Sequence, residues 1–352
     1  MKLTFRWYGE SDCIPVQYLR QIPNMSGVVT ACYDVPVGEV WNVETLQKLK
    51  SIANGVGLAM EVIESIPVPE DIKLGKPTRD RLIENYCENL RRCASVGVKV
   101  VCYNFMPVFD WLRTEIYHEN KDGSNSLAYS WADFQKIDPK NLHLPGWDES
   151  YTPEELQGLL EQYSHFSHDD LFNNLVYFLE RVIPVCDEVG IKMAIHPDDP
   201  PWDVFGLPRI VSNEADLDRM FAAVPSKANG VTLCTGSFGA GRSNDIVHMV
   251  GKYSAEGRLH FLHMRNVKWT DDKDSFVEVG HCTKDGSLDM AAIVMAAVEN
   301  GFDGYVRPDH GRNIWGEGDK PGYKQGYGLY DRALGCAYIN GLFEMAEKNL
   351  KK

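Results

Sequence analysis

The sequence predicts one (β/α)8 barrel, the TIM-barrel form of the α/β class, spanning residues 1–352. Short apolar segments alternate eight times with segments whose apolar residues recur at helical spacing. Such alternation indicates parallel strands joined by right-handed crossovers. No glycine-rich turn follows the first strand, which argues against an open dinucleotide-binding sheet. A closed barrel brings the carboxyl ends of all its strands to one mouth, where barrel enzymes carry their active sites.

The first part of the chain holds four of the predicted strands. We place them at residues 2–7, 27–32, 58–63 and 98–105, with helices at 14–22, 43–53 and 79–95 between them. Pro23 closes the first helix and Gly97 follows the third, as helix ends prefer. This part of the chain therefore has the strand–helix order of a barrel.

Residues 106–168 break the alternation. Aromatic residues are frequent there among Pro, Gly, Asn and Asp: Trp111, Tyr117, Tyr129, Trp131, Trp147 and Tyr151. A segment of this length inside a compact domain is typical of a lid or an interface. We interpret it as an insertion after the fourth strand, which serves as a substrate cover, a subunit contact or both.

The alternation resumes after the insertion. We predict helices at 169–189, 213–224, 243–253, 289–299 and 328–348, and strands at 191–196, 230–234, 259–264 and 304–308. Asn213 is expected to cap its helix. The last helix carries apolar or small residues on one side: Leu334, Ala337, Tyr338, Gly341, Leu342 and Met345.

Composition excludes several classes of partner. The 352 residues carry a formal net charge of -14, and no run of Lys and Arg is long enough for a nucleic-acid-binding stripe. No apolar stretch has the length of a signal-peptide core or a membrane span, so we expect a cytoplasmic protein without a membrane partner. The nine cysteines show no CxxC spacing and are expected to be reduced.

Four potential metal ligands fall at the ends of the last four predicted strands. His196 follows the fifth strand, Cys234 ends the sixth, His263 lies in the seventh and Asp309 follows the eighth. Each alone is a weak signal, but a barrel gathers its strand ends at one mouth. Together they predict a metal site rather than a polar rim without metal. Thiolate and imidazole ligands suit Zn²⁺, Fe²⁺ or Co²⁺ better than Mg²⁺.

The same mouth carries two arginines. Arg265 and Arg307 are planar donors that could clamp a carboxylate through two hydrogen bonds. The alternative is an ion pair with a neighbouring aspartate: Asp198, Asp199 or Asp309. A metal beside arginines predicts a site for a small, oxygen-rich anion.

Three further residues could transfer protons at this site. His310 follows the eighth strand, and Tyr323 and Tyr327 lie in the loop after it. A histidine titrates near neutrality, whereas a tyrosine acts as acid or base when a cation or metal lowers its pKa. For either tyrosine, a packed ring with a hydrogen-bonded tip is the alternative.

Six segments together form a specific pattern: residues 1–9 (MKLTFRWYG), 103–111 (YNFMPVFDW), 233–237 (LCTGS), 263–267 (HMRNV), 307–311 (RPDHG) and 326–335 (GYGLYDRALG). In these segments the chain resembles the mannonate dehydratase family over essentially its whole length. The resemblance implies a xylose-isomerase-like barrel with one Mn²⁺ or Fe²⁺ ion per subunit. It also implies conversion of D-mannonate to 2-keto-3-deoxy-D-gluconate and water, a hydro-lyase reaction of hexuronate (glucuronate) catabolism.

The resemblance implies roles for individual residues. The metal ligands it implies are the four found at the strand ends: His196, Cys234, His263 and Asp309. It points to His310 and one loop tyrosine, Tyr323 or Tyr327, as the acid–base pair. The candidate substrate contacts are Arg265, Arg307, Asn104 and Trp7. We also expect a homo-oligomer, a dimer or larger.

A xylose-isomerase-like sugar isomerase or epimerase is the alternative function. Such sites use several carboxylate ligands, and only Glu61 and Glu64 near the third strand end could add one here. The soft ligand Cys234 argues against this alternative. A non-catalytic binding protein has less support, because no further domain remains within the 352 residues to transmit a signal.

Overall fold

Eight parallel strands close into a barrel, which confirms the predicted fold. The computed structural model describes residues 1–138, 151–270 and 273–350. Its strands are β1 (Lys2–Arg6), β2 (Met25–Thr30), β3 (Ala59–Glu64), β4 (Val100–Tyr103), β5 (Glu115–Glu119), β6 (Asn125–Tyr129), β7 (Lys192–Ile195), β8 (Asn229–Cys234), β9 (Leu259–Met264), β10 (Asn266–Trp269), β11 (Phe276–Val279) and β12 (Tyr305–Pro308). The barrel has the order β1-β12-β9-β8-β7-β4-β3-β2, with parallel pairing throughout.

The helices lie between these strands. They are α1 (Val16–Leu19), α2 (Val43–Gly55), α3 (Glu70–Lys73), α4 (Arg79–Ser95), α5 (Trp131–Phe134), α6 (Pro153–Tyr163), α7 (His168–Val189), α8 (Glu214–Ala223), α9 (Thr235–Ala240), α10 (Ile246–Ala255), α11 (Met290–Glu299) and α12 (Tyr330–Leu350). Short 3-10 turns occur at Gly9–Ser11, Thr283–Asp285 and Glu317–Asp319. Among the described helices, none is both long and apolar enough to cross a membrane.

Local sequence explains most helix boundaries. Asn213 caps α8 as predicted, because its side chain accepts a hydrogen bond from the backbone N–H of Asp216. The predicted helix at 14–22 is only the single turn α1. There the N–H of Ile22 bonds back to the carbonyl of Leu19 at 3.1 Å, so the chain leaves in a tight turn.

Successive side chains along each barrel strand point to opposite faces of the sheet, so they form two separate cores. The side chains that fill the barrel form a small inner cluster: Val29, Val62, Val100, Cys102, Ala194, Phe261 and Tyr305. Leu262 and Val306, on the other face of their strands, belong to the larger core that includes the helices. Residues two apart on a strand share a face, so His263 lies beside Phe261 with ring centroids 4.4 Å apart. β9 therefore places His263 directly above the apolar filling of the barrel.

A second, antiparallel sheet accompanies the barrel, in the order β10-β11-β6-β5. The insertion, where we predicted no strand–helix alternation, supplies the hairpin β5-β6 and the helices α5 and α6. β10, β11 and α9 were also not predicted from the sequence. Tyr129 of β6 stacks on Phe276 of β11, with ring planes 13° from parallel. Residues 139–150, including Trp147, lie outside the described residues, and the insertion's role as a lid or subunit contact stays a prediction.

The last helix, α12, buries a different side from the one its sequence emphasises. Cys336, Ile339 and Phe343 are buried against the core. Leu334 and Met345 are instead 47% and 60% exposed. The apolar side noted in the sequence therefore includes an outward-facing surface.

Candidate active site

A cavity of about 180 Å³ opens at the carboxyl ends of the barrel strands. Most residues of its lining follow or end barrel strands, including Arg6, Glu64, Asn104, His196, Arg265, Arg307 and Asp309. The insertion adds Asp110 and Trp111. The cavity is thus a polar space of small-molecule size, built jointly by the barrel and the insertion.

The four predicted metal ligands lie together at this mouth. One ligand atom from each of His196, Cys234, His263 and Asp309 lies within 4.8 Å of the other three. The strand register causes this, because Cys234 of β8 and His263 of β9 are direct neighbours in the barrel. The carboxylate Oδ2 of Asp309 lies 3.3 Å from the Sγ of Cys234, and the two imidazole centroids are 5.2 Å apart. These separations suit donors that surround one ion.

The protonation of these donors fits a divalent cation. Burial lowers the pKa of His196 and, with help from Arg307, lowers the pKa of His263 to about 4, so both imidazoles are neutral. Burial would raise the pKa of Asp309, but Arg307, His310 and Arg265 hold it well below its usual value. Burial raises the pKa of Cys234 to about 12, so without a cation the thiol keeps its proton. A bound divalent ion would favour the thiolate and complete a nitrogen, sulfur and oxygen donor set.

A second grouping of potential ligands overlaps the first. It consists of Glu64, Cys102 and His263. Glu64 already accepts a hydrogen bond from Nη2 of Arg307 at 2.8 Å and lies 3.1 Å from Nη1 of Arg6. Asp309 of the first grouping also lies near two guanidinium groups, those of Arg307 and Arg265. The first grouping is the better metal site because it offers four donors, whereas the second offers three.

Both predicted carboxylate-binding arginines line the cavity but also have buried protein partners. Arg307 pairs with Glu64, and its Nη1 lies 2.8 Å from Oδ1 of Asp309. Nη2 of Arg265 donates to Oδ2 of Asp199 at 2.7 Å. The ion pairs weighed as the alternative are therefore present for both residues. Their positive charge still faces the cavity.

His310 and Tyr327 form a pair at the cavity wall. Nε2 of His310 lies 3.1 Å from the hydroxyl oxygen of Tyr327, and both side chains line the cavity. Burial raises the pKa of Tyr327 well above its usual value, so its hydroxyl is protonated. Among the described residues of the lining, Tyr323 is not found. The structure therefore brings Tyr327, of the two candidate tyrosines, to His310.

The two remaining predicted substrate contacts differ in placement. Asn104 lines the cavity, where its side-chain oxygen accepts a hydrogen bond from the backbone N–H of Met106 at 3.1 Å. Trp7 is 3% exposed and packs in the large core, apart from the described lining. The structure thus places Asn104 at the cavity and Trp7 in the core.

Two buried charged residues outside the barrel complete the site. Arg113 of the insertion donates to Oδ1 of Asp199 at 2.8 Å and, through Nε, to Oε1 of Glu278 at 2.9 Å. Glu278 of β11 lies beside His310. Burial would raise the pKa of Glu278, but His310, Arg113 and Arg265 lower it to about 2. In the sequence, Glu278 is marked only as an acidic residue within the apolar segment FVEV. Its partners His310 and Arg113 lie 32 and 165 residues away along the chain.

Comparison with known proteins decides the family. Residues 1–352 match the family described as D-mannonate dehydratase (UxuA). The chain belongs to the D-mannonate dehydratase family. Mannonate dehydratase 2 of Halalkalibacterium halodurans is 51% identical over 346 residues, which cover 98% of this chain and 99% of that protein. Mannonate dehydratase of Thermotoga petrophila is 50% identical over 364 residues, covering 100% and 99%. The family resemblance and the hydro-lyase class are confirmed.

Solved structures agree with this family. The crystal structure of mannonate dehydratase from Streptococcus suis serotype 2 has a TM-score of 0.93 and 44% identity, covering 100% of this chain and 96% of that chain. A xylose isomerase domain protein from Planctomyces limnophilus has a TM-score of 0.53 and 13% identity, covering 99% and 98%. D-psicose 3-epimerase from Clostridium cellulolyticum H10, with D-tagatose, has a TM-score of 0.55 and 12% identity, covering 99% of both chains. These last two share the fold of the mannonate dehydratase family and confirm the xylose-isomerase-like barrel.

Proposed function

We propose that this chain converts D-mannonate to 2-keto-3-deoxy-D-gluconate and water, as a step of hexuronate (glucuronate) catabolism. One observation carries the proposal: four metal-type donors lie together at the barrel mouth, and two of them, His196 and Asp309, line the same cavity as the pair of His310 and Tyr327. The relatives named mannonate dehydratase, 50% and 51% identical over nearly their full length, support this choice of substrate. Dehydration of a sugar acid needs a proton acceptor, a proton donor and stabilisation of negative charge, and the site offers all three.

We propose that His196, Cys234, His263 and Asp309 hold one Mn²⁺ or Fe²⁺ ion per subunit. The imidazole and thiolate donors suit Fe²⁺, and the carboxylate suits Mn²⁺. When bound, such an ion supplies Lewis acidity that stabilises the negative charge developing next to the substrate carboxylate.

We assign the proton transfers to His310 and Tyr327. The protonated hydroxyl of Tyr327 is a proton donor for the leaving C3 hydroxyl, while Nε2 of His310 accepts the proton from C2. The electron pair of the C2–H bond forms the C2=C3 double bond as the C3–O bond breaks. The hydroxyl leaves as water with the proton from Tyr327, and the enol tautomerises to the 2-keto acid.

The proposed substrate contacts are the groups that line the cavity around this pair. The guanidinium groups of Arg265 and Arg307 are already paired with protein carboxylates. Their proposed role is therefore to attract the sugar acid through their positive charge. Asn104 offers an amide to a substrate hydroxyl. Trp7 packs in the core, which supports a packing role for it in place of a substrate contact.

An assay of the purified protein with D-mannonate tests this function. We expect 2-keto acid to form, chelation to stop the reaction, and Mn²⁺ or Fe²⁺ to restore it. Interconversion of an aldose and a ketose in its place would support the isomerase or epimerase alternative. Tight binding of D-mannonate without turnover would support a binding protein.

We further propose a cytoplasmic homo-oligomer. Leu334 and Met345 are exposed on the same side of α12, and grouped apolar side chains on a helix surface are typical of subunit contacts. The nine cysteines are all free, as a reducing compartment requires. Light scattering of the purified protein measures the subunit number, and a monomer at micromolar concentration would contradict the oligomer.

A further inference from the structure

We propose that Glu278 is a positioning residue that fixes the tautomer of His310. The inference rests on the proposed role of His310 as the base that acts on D-mannonate. Both side chains are buried, with Glu278 2% and His310 4% exposed. Nδ1 of His310 lies 2.8 Å from Oε2 and 3.0 Å from Oε1 of Glu278.

The surroundings of Nδ1 decide which ring nitrogen carries the proton. If Nδ1 carries it, the N–H donates to an ionised carboxylate at 2.8 Å, which is a charge-assisted hydrogen bond. If Nδ1 is bare, its lone pair faces both carboxylate oxygens, and the compensating donor is Nη1 of Arg265 at the longer distance of 3.2 Å. The first arrangement is favoured, because the second places lone pairs of the ring and the carboxylate against each other.

The tautomer sets the chemistry at the other ring nitrogen. In the tautomer with its proton on Nδ1, His310 has a free lone pair on Nε2, which accepts a hydrogen bond of 3.1 Å from the hydroxyl of Tyr327. The same lone pair can accept the C2 proton of the substrate. The imidazolium that forms then keeps its Nδ1–H on Glu278, whose negative charge stabilises it. Without Glu278 the ring is free to carry its proton on Nε2, where it cannot act as a base.

Glu278 is itself held from outside the barrel. Val267 of β10 pairs with Glu278 of β11, and Val277 pairs with Ala128 of β6. Nε of Arg113 donates to Oε1 of Glu278 at 2.9 Å, which leaves Oε2 directed to His310. The second sheet and the insertion thus orient the carboxylate that orients the proposed base.

The variant Glu278→Gln tests the inference, because the amide keeps the size of the side chain but can donate to Nδ1 and favour the wrong tautomer. We expect kcat for D-mannonate to fall by roughly 100- to 1,000-fold, with KM changed by less than about threefold. Glu278→Asp keeps a carboxylate and should recover part of the loss. If Glu278→Gln does not fold, as judged by circular dichroism, the Glu278→Asp variant provides the comparison.

A double-mutant cycle separates positioning from general support of the fold. In a His310→Gln background, Glu278→Gln should cost less than about threefold in kcat, since the residue that it positions is already gone. Asp199→Asn is the matched control, because Asp199 also pairs with Arg113 but does not bond to His310. The decrease in kcat caused by Asp199→Asn should be similar with and without His310. An equal loss from Glu278→Gln with and without His310 would overturn the proposal.

A spectroscopic measurement tests the tautomer independently of turnover. Two-bond ¹H–¹⁵N spectra of ¹⁵N-labelled, zinc-loaded protein report which nitrogen of each neutral histidine carries a proton, and the His310 signals are those lost in His310→Gln. We expect the Nδ1–H form in the unsubstituted protein and a shift toward Nε2–H in Glu278→Gln. An Nε2–H form in the unsubstituted protein would refute the inference. Failure to turn over D-mannonate combined with an Nδ1–H tautomer would instead refute only the proposed function.

Discussion

Exchanging the hydroxyl of Tyr327 for hydrogen gives the sharpest test of the acid–base pair. The variant Tyr327→Phe removes the oxygen that lies 3.1 Å from Nε2 of His310. The ring itself should stay in place, because it packs edge-on against Tyr8 with centroids 5.4 Å apart and against His310 at 4.9 Å. The substitution therefore isolates the proton-donating group from the packing around it.

Two magnitudes follow from this geometry. Loss of one partly buried hydrogen bond should lower the free energy of unfolding by only about 1 kcal/mol. Loss of the proton donor for the leaving hydroxyl should lower kcat by about 100- to 10,000-fold, which is roughly 3 to 5 kcal/mol in the activation barrier. The catalytic effect should thus exceed the stability effect several-fold. Initial rates of 2-keto acid formation and thermal unfolding measure the two quantities.

Tyr323→Phe is the matched control. The hydroxyl of Tyr323 is buried and has no hydrogen-bond partner among the described residues, so its removal should leave stability unchanged or slightly raised. Its kcat should remain within about threefold of the unsubstituted protein. A Tyr327→Phe variant with full activity, or a Tyr323→Phe variant that loses it, would refute the assignment.

Three other changes probe the metal, the second sheet and the surface of α12. Cys234→Ser should lose at least about tenfold in metal affinity, and activity with it, while circular dichroism stays unchanged; full metal content with full activity would exclude this ligand. Deletion of residues 122–130 removes β6, the neighbour of β11, so turnover should fall by about tenfold or more as Glu278 loses its support; an unaltered kcat would show that this hairpin is dispensable. Met345→Lys places a charge on the exposed side of α12 and should lower the subunit number seen by light scattering, with Lys348→Ala as a control on the same helix; an unchanged oligomer would place the subunit contact elsewhere.

The barrel and the grouping of its four potential metal ligands could be predicted because both follow from one simple rule. Buried strands and amphipathic helices leave strong periodic patterns, and a closed barrel converts the end of each strand into a position at one mouth. His196, Cys234, His263 and Asp309 could therefore be grouped although they are far apart in the chain. Strand register then brings their side chains together.

The second sheet could not be predicted in the same way. Its strands have only four or five residues, and β5 is largely exposed, so their local patterns are weak. The importance of Glu278 depends on the pairing of β11 with β10 and on Arg113, which is 165 residues distant. No local sequence rule contains that information.

The partners of the arginines were also beyond local rules. Whether Arg307 binds a substrate carboxylate or a protein carboxylate depends on Glu64, a residue 243 positions earlier in the chain. On α12, apolar residues occur on two sides, and only the packing of Ile339 and Phe343 shows which side is buried. In both cases the sequence supplies the right chemical groups, while tertiary contacts choose between their possible partners.

The closure of the barrel has a consequence for synthesis on the ribosome. β1 pairs directly with β12, through Lys2 with Tyr305 and Leu3 with Val306, although three hundred residues separate them. Until β12 emerges, the nascent chain carries unpaired backbone edges that attract other chains. Asp309 arrives immediately after this strand, with its N–H bonded to the carbonyl of Met264 at 2.9 Å. Closure of the barrel edge and completion of the four-donor group by Asp309 therefore become possible together, once the ribosome has made residues 305–309.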